Sequence, residues 1–275
     1  MKEILDFLAE LSQNNNREWF NANKEKYLQV REKFEAFARQ LIEKIGSWDE
    51  DVAASQLQVK DCTYRIYRDT RFSRNKEPYK THMGIFICKG GKKSPNAGYY
   101  LHLEPPALYP LPCSAEGAES PSREGGCGLD GAATGQTGVD TQTPLSQQGV
   151  HTQTPLSMGG CFIIAGTYRY ESKVLRSIRD EISVNGDSFL EAIQEAEGFY
   201  PEESDMLRKV PAEFSFAPDK WHRLLRYRTF ALIKPVGTDY VCSGNALDNI
   251  AADFKKCSNY LKKVNMAIEY AYEED

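Results

Sequence analysis

A chain of 275 residues with a net charge of −5 is long enough to bury a core without disulfides or metals, and its acidic balance argues against a protein that coats nucleic acid non-specifically. The seven cysteines (Cys62, Cys88, Cys113, Cys127, Cys161, Cys242 and Cys257) are odd in number and never spaced as CxxC, which suits reduced thiols in a cytoplasm rather than a disulfide framework or a zinc site. The first residues carry no signal-peptide pattern, and no run approaches the ~20 apolar residues of a membrane span, so a cytoplasmic protein without membrane association is expected.

Taken in chain order, Ile4, Leu5, Leu8 and Leu11 recur at helical spacing over residues 3–11. An Asn at 15 or 16 is a good N-cap, and with Asn15 as the cap Glu18 sits three residues on, as in a capping box. It would open a long helix to Ile45, with Phe20, Tyr27, Val30, Phe34, Phe37 and Leu41 on its apolar stripe and Gly46 at its end. Residues 62–68 (CTYRIYR) alternate as a strand would. A polar loop leads to two further strands, 83–88 and 98–104, joined by the turn KGGKKSPNA, and 161–170 reads as a fourth. Residues 171–184 predict a helix closed by Asn185-Gly186, with Asp187 capping the next. A short helix over 218–227, a strand over 229–236 and a C-terminal helix over about 246–271 complete the pattern. Strands in the middle with helices at both ends, and no βαβα alternation, predict an α+β fold: a central, mostly antiparallel sheet packed by N-terminal and C-terminal helices.

Residues 106–160 differ in kind. Gly, Pro, Ser, Thr and Gln dominate, and GVDTQTPLS at 138–146 returns as GVHTQTPLS at 149–157. So little apolar surface cannot offset the entropy of ordering the segment. One globular domain spanning 1–275, interrupted by a disordered low-complexity insertion at about 106–160, is the expected organisation.

The strings NNNREWFNANKEKY, YRIYRDTRFSRNKEPYKTHMGIFI and AGYYLHLEP resemble the bacterial and fungal family called domain of unknown function 2461. So do GGCFIIAGTYRYESKVLRSIRDEISVNGDSF, RKVPAEF and RTFALIKP. The resemblance covers the chain outside 106–160 and implies the fold class and a single domain, but no reaction and no cofactor. The insertion departs from the family pattern, whose members cross from the GYYLHLEP strand to the next by a short connection.

Ten Lys or Arg stand against four Asp or Glu in residues 60–104, with Tyr64, Tyr67, Phe72 and Tyr79 interleaved. Arg65, Arg68, Arg71 and Lys80 are candidate anion ligands, since guanidinium and ammonium groups match carboxylate or phosphate oxygens. Tyr99 (or Tyr100) and Arg17 could complete the binding set. His102 and Glu104 share one strand face, Tyr100 precedes them on it, and His82 would join them if its strand paired alongside. Such a His/His/Glu cluster could ligate zinc or iron. The HxE order and the missing HExxH leave only three ligands in view, so no metal site is assigned. His102 is the candidate general base, with Glu104 or Asp69 orienting it. No GxGxxG, GxxxxGK[ST] or GxSxG occurs. A small anionic ligand, possibly phosphorylated, is the expected partner, bound or acted upon; the alternatives are a non-catalytic protein-interaction module and, less in keeping with the net charge, a nucleic-acid binder.

Overall fold

The computed structural model describes residues 1–71, 73, 75–106, 160–167 and 170–273. The predicted insertion falls almost wholly outside them. Among the described residues ten α-helices accompany one five-stranded sheet, ordered β1 (Met83–Ile87), β2 (Gly98–Leu103), β3 (Cys161–Gly166), β5 (Ala231–Val236) and β4 (Tyr200–Pro201), with every pair antiparallel. The α+β expectation holds. None of the described helices is long and apolar enough to cross a membrane.

The strands bury one face against helices. Ile85 and Ile87 of β1, Tyr99, Leu101 and Leu103 of β2, and Ile163 and Ala165 of β3 all belong to the main core. The N-terminal helix α1 (Lys2–Gln13) adds Ile4, Leu5, Phe7, Leu8 and Leu11, and the long helix α3 (Lys24–Gly46) adds Val30, Phe34, Leu41 and Ile45. Each such side chain contributes about 1.5–3 kcal/mol by leaving water. The opposite face carries a smaller cluster of Phe162, Ile164, Ala231 and Ile233, with Tyr100 packed on it.

Several boundaries differ from the sequence reading for local reasons. Of the two candidate caps it is Asn16 that opens α2 (Arg17–Ala22), its side chain accepting from the Trp19 N–H at 2.9 Å. The expected single helix to Ile45 breaks at Asn23, whose φ/ψ of −104/18 leaves the helical region while its amide donates to the Trp19 carbonyl. Residues 62–68 form no continuous strand. Asp61 accepts from the Gln58 N–H and opens the one-turn helix α5 (Val59–Cys62), so Cys62 is helical and only isolated bridges, Thr63 to Ile85 and Tyr67 to Tyr79, follow. A second short helix, α4 (Glu50–Ala54), is capped by Asp49, which accepts from the Val52 N–H.

After β3, α6 (Ser172–Glu195) is two helical stretches meeting at a kink at Asn185 (φ −123, ψ 32), where the first was expected to close. Asp187 caps nothing there; it accepts from the indole N–H of Trp221 at 3.0 Å and from Lys220 at 2.6 Å. The predicted helix near 218–227 is a 3₁₀ turn (Asp219–Trp221) running into α7 (His222–Leu225). Past β5 come α8 (Thr238–Cys242), α9 (Ala246–Lys256) and α10 (Ser258–Glu273); the last two replace one predicted C-terminal helix, parting at Cys257.

Gly186 shows what the kink in α6 requires. A Cβ there would lie 2.3–2.6 Å from the Trp221 indole, so the ring must move if anything larger is installed. Gly186→Ala is expected to destabilise by about 1–3 kcal/mol, the usual cost of overpacking. An unchanged denaturation midpoint would show that Trp221 swings aside freely.

Candidate functional site

Strand alternation builds the site on the sheet face away from the helices. In the β1–β2 register Gly84 faces His102 and Phe86 faces Tyr100, and in the β2–β3 register His102 faces Phe162. His82 directly precedes β1 and Glu104 directly follows β2, so both reach the same end of that face. The His102 ring lies between two others: Phe162 at 4.3 Å and 8° on one side and His82 at 4.7 Å and 29° on the other. A Cβ on Gly84 would lie 2.6 Å from the Tyr100 hydroxyl, so glycine leaves room for that ring beside His102.

Polar contacts fix the cluster. The Tyr100 hydroxyl meets His102 Nδ1 at 3.0 Å, His102 Nε2 meets Glu104 Oε2 at 3.2 Å, and the Thr81 hydroxyl donates to Glu104 Oε1 at 3.0 Å. His102 is only 5% exposed. Burial pushes the Glu104 carboxyl up, but the hydrogen bonds from His102 and Thr81 and the nearby imidazoles outweigh it and hold the group below its usual range. Burial pushes His82 down to about 4, aided by His102, Lys80 and Arg68 and opposed by Glu104. His82 is therefore a neutral imidazole at ordinary pH.

In front of His82 opens a recess of about 350 Å³ lined by Arg68, Asp69, Lys80, Thr81 and His82. A short ladder holds its rim: Lys80 N–H donates to the Ile66 carbonyl at 2.8 Å and Arg68 N–H to the Pro78 carbonyl at 2.9 Å. The N-terminal motif braces this ladder from behind. Asn15 donates to the Tyr79 carbonyl at 3.0 Å and accepts from its N–H at 3.1 Å, while Phe20 stacks on the Tyr79 ring at 3.9 Å and 14°. Asn15→Ala would leave both Tyr79 groups without this partner. A loss of about 1–3 kcal/mol is expected in chemical denaturation, and no loss would mean that water replaces the clasp.

Lys80 is only partly exposed, and among the described residues it has no ion-pair partner; its ammonium lies 5.5 Å from the centre of the Tyr64 ring. Burial, then Arg65 and Arg68, pushes its pKa down. Among the described residues the Arg68 guanidinium pairs with Glu77, at 3.4 Å. The rim therefore gathers Arg68 and Lys80 beside one carboxylate, Asp69, which is itself engaged by Arg71.

The structure sorts the candidate residues. Arg68, Lys80 and Asp69 line the recess, and His102 and Glu104 stand behind His82. Arg65 is exposed nearby, where its charge acts on Lys80. Four assignments need correction. Tyr99 points into the helical core, its hydroxyl donating to Asp49 at 2.8 Å and its ring packing on Trp48 and Phe254, because odd positions of β2 face the helices. Asp69 does not orient His102; its carboxylate grips Arg71 at 2.6 and 3.0 Å, and Glu104 takes the orienting place. That same grip ties Arg71 to its own loop. Arg17 is exposed at the start of α2 and does not line the recess. Thr81, Gly84 and Phe162 were not singled out as site residues from the sequence. The two-residue alternation around His82 and His102 would have found Gly84, but Phe162 needed the β2–β3 register.

The chain matches no curated protein and no solved structure. The pattern of one family does match, over residues 3–111 and 141–262, interrupted within the low-complexity stretch. On that match, which spans most of its length, the chain belongs to the family described as Conserved hypothetical protein (DUF2461).

Proposed function

We propose that the protein binds a small anionic ligand, carrying a carboxylate or phosphate, in the recess lined by Arg68, Asp69, Lys80, Thr81 and His82, where Arg71 engages the Asp69 carboxylate. The observation that carries this reading is Lys80. A partly buried ammonium beside two arginines, with no carboxylate partner among the described residues, raises the energy of the empty protein, and an anion bound there would offset it. Arg68 supplies a planar fork on the same wall, Arg65 adds charge at the edge, and the Thr81 hydroxyl and His82 imidazole supply shorter-range polar contacts. With an imidazole on the wall and the His102–Glu104 pair behind it, the site can also pass a proton to or from a held ligand. The five described cysteines are free and mostly buried, in keeping with a reducing cytoplasm. A net charge of −5 favours a small anion on a local patch over a nucleic-acid strand.

A thermal-shift panel of inorganic phosphate, sugar phosphates, nucleotides, carboxylates and neutral sugars tests the reading. An anion at a hundredfold its dissociation constant should stabilise the fold by about 2.7 kcal/mol. A shift confined to one anion class supports the site and names its ligand; equal shifts with neutral compounds, or none, would contradict it.

A further inference from the structure

His82, His102 and Glu104 each offer a ligand atom, and these atoms lie within 4.8 Å of one another. We infer that they form a binding site for one divalent transition-metal ion of the zinc(II) or iron(II) class. Two imidazoles and one carboxylate are the donor set that suits such ions, whereas calcium and magnesium take oxygen ligands.

Three features beyond proximity support the site. First, His102 Nε2 and Glu104 Oε2 stand 3.2 Å apart. Two donors at about 2.1 Å from one ion, subtending roughly 100°, have the same separation. Second, both groups are already tethered from outside. Tyr100 holds the far nitrogen of His102 and Thr81 holds the far oxygen of Glu104, as outer partners orient metal ligands elsewhere. The hydrogen bond to Tyr100 can run either way. With an ion bound, Nε2 takes the metal and the neutral ring is the Nδ1–H tautomer donating to the hydroxyl; the proton leaving Nε2 for solvent is matched by one taken up at Nδ1. Third, His82 belongs both to the triad and to the lining of the recess, so an ion held by three protein ligands would sit beside the recess and could take a further ligand from it. Donors on one ion lie at most about 4.2 Å apart. Closing the 4.8 Å gap requires His82, the less buried of the two imidazoles, to turn out of its stack on His102 until its nitrogen points at the ion.

The neighbouring Lys80 and Arg68 would repel a bare cation, but they suit a cation carrying an anionic co-ligand. The inference thus deepens the anion reading: the co-ligand's role rests on that reading, while the metal ligands are separate residues. The test is to strip the full chain with chelator and titrate it with zinc(II) by equilibrium dialysis, with calcium and magnesium as controls. Cobalt(II) then serves as a spectroscopic probe. One zinc per chain is expected, with cobalt ligand-field bands and no thiolate charge transfer. His82→Ala and Glu104→Gln should each weaken zinc about 100-fold or more, and Tyr100→Phe, a positioning change, about 10-fold. Circular dichroism of each variant separates lost ligands from lost fold. No stoichiometric zinc, or binding that His82→Ala and Glu104→Gln leave unchanged in folded protein, would overturn the inference. Phosphate protection measured on the stripped protein keeps the two readings apart. Zinc lost with phosphate retained defeats the metal site alone, and the reverse leaves the metal site standing.

Discussion

Asp253→Ala is expected to cost the fold about 3 kcal/mol, the largest stability loss foreseen for any single substitution here. The Asp253 carboxylate on α9 is 7% exposed and draws three partners from three elements. Lys234 of β5 donates at 2.7 Å, the Tyr240 hydroxyl of α8 at 2.6 Å, and Lys256 lies at 3.3 Å. Removing it strands Lys234, whose side chain is 24% exposed and lies against the Phe199 and Tyr240 rings. That partial exposure sets the estimate at the lower end of the range for a broken buried pair. Equilibrium urea denaturation checks the figure, and the double variant Asp253→Leu with Lys234→Leu should recover much of the loss, because the penalty comes from the stranded charge. The pH dependence follows. Burial pushes Asp253 up, but the bonds from Lys234 and Tyr240 and the charges of both lysines overcome it and hold the group below its ordinary value. Its stabilisation is therefore complete above the ordinary carboxylate range and fades as pH falls toward the depressed value. Wild type and Asp253→Ala should converge in acid; curves that stay parallel to low pH would contradict the assignment.

The second large effect is functional. Replacing Arg68 by Ala together with Lys80 by Met should weaken anion binding at least about 100-fold, since two charge-assisted contacts of about 1.5–3 kcal/mol each are lost. The same change should leave the ligand-free protein no less stable, and Lys80→Met alone should raise its stability by up to about 1 kcal/mol by relieving repulsion among Arg65, Arg68 and Lys80. This opposite sign separates a binding cation from a structural one. A structural lysine, paired in the fold, would lose stability when removed. Denaturation without ligand and phosphate titration of the same samples decide between them; lower stability with unchanged affinity would refute the anion site.

The fold class was readable because the short apolar runs over 83–88 and 98–104 are joined by a Gly-, Lys- and Pro-rich turn and the outer segments carry helical spacing. The site was readable in outline from strand alternation: His102 and Glu104 had to share a face, and His82 had to join them once its strand paired alongside. What the sequence hid was geometry set by tertiary contacts. The segment at 62–68 alternates like a strand, yet the Gln58–Asp61 cap draws its first residue into a helix. Tyr99 and Tyr100 are chemically alike, and only the register sends the first into the core and the second to His102. The arginines of the RDTRFSR loop look equivalent in sequence. Asp69 engages Arg71 within the loop, while Arg68, braced through the Asn15–Tyr79 clasp, lines the recess.

The measurement that bears most directly on the anion site is crystallographic: crystals soaked in molybdate, a heavy analogue of sulfate and phosphate, with the anion located by anomalous scattering. The account predicts one strong site in the recess, within hydrogen-bond reach of Lys80 Nζ and the Arg68 guanidinium. An empty recess at saturating anion, with Lys80 left without a partner, would contradict it.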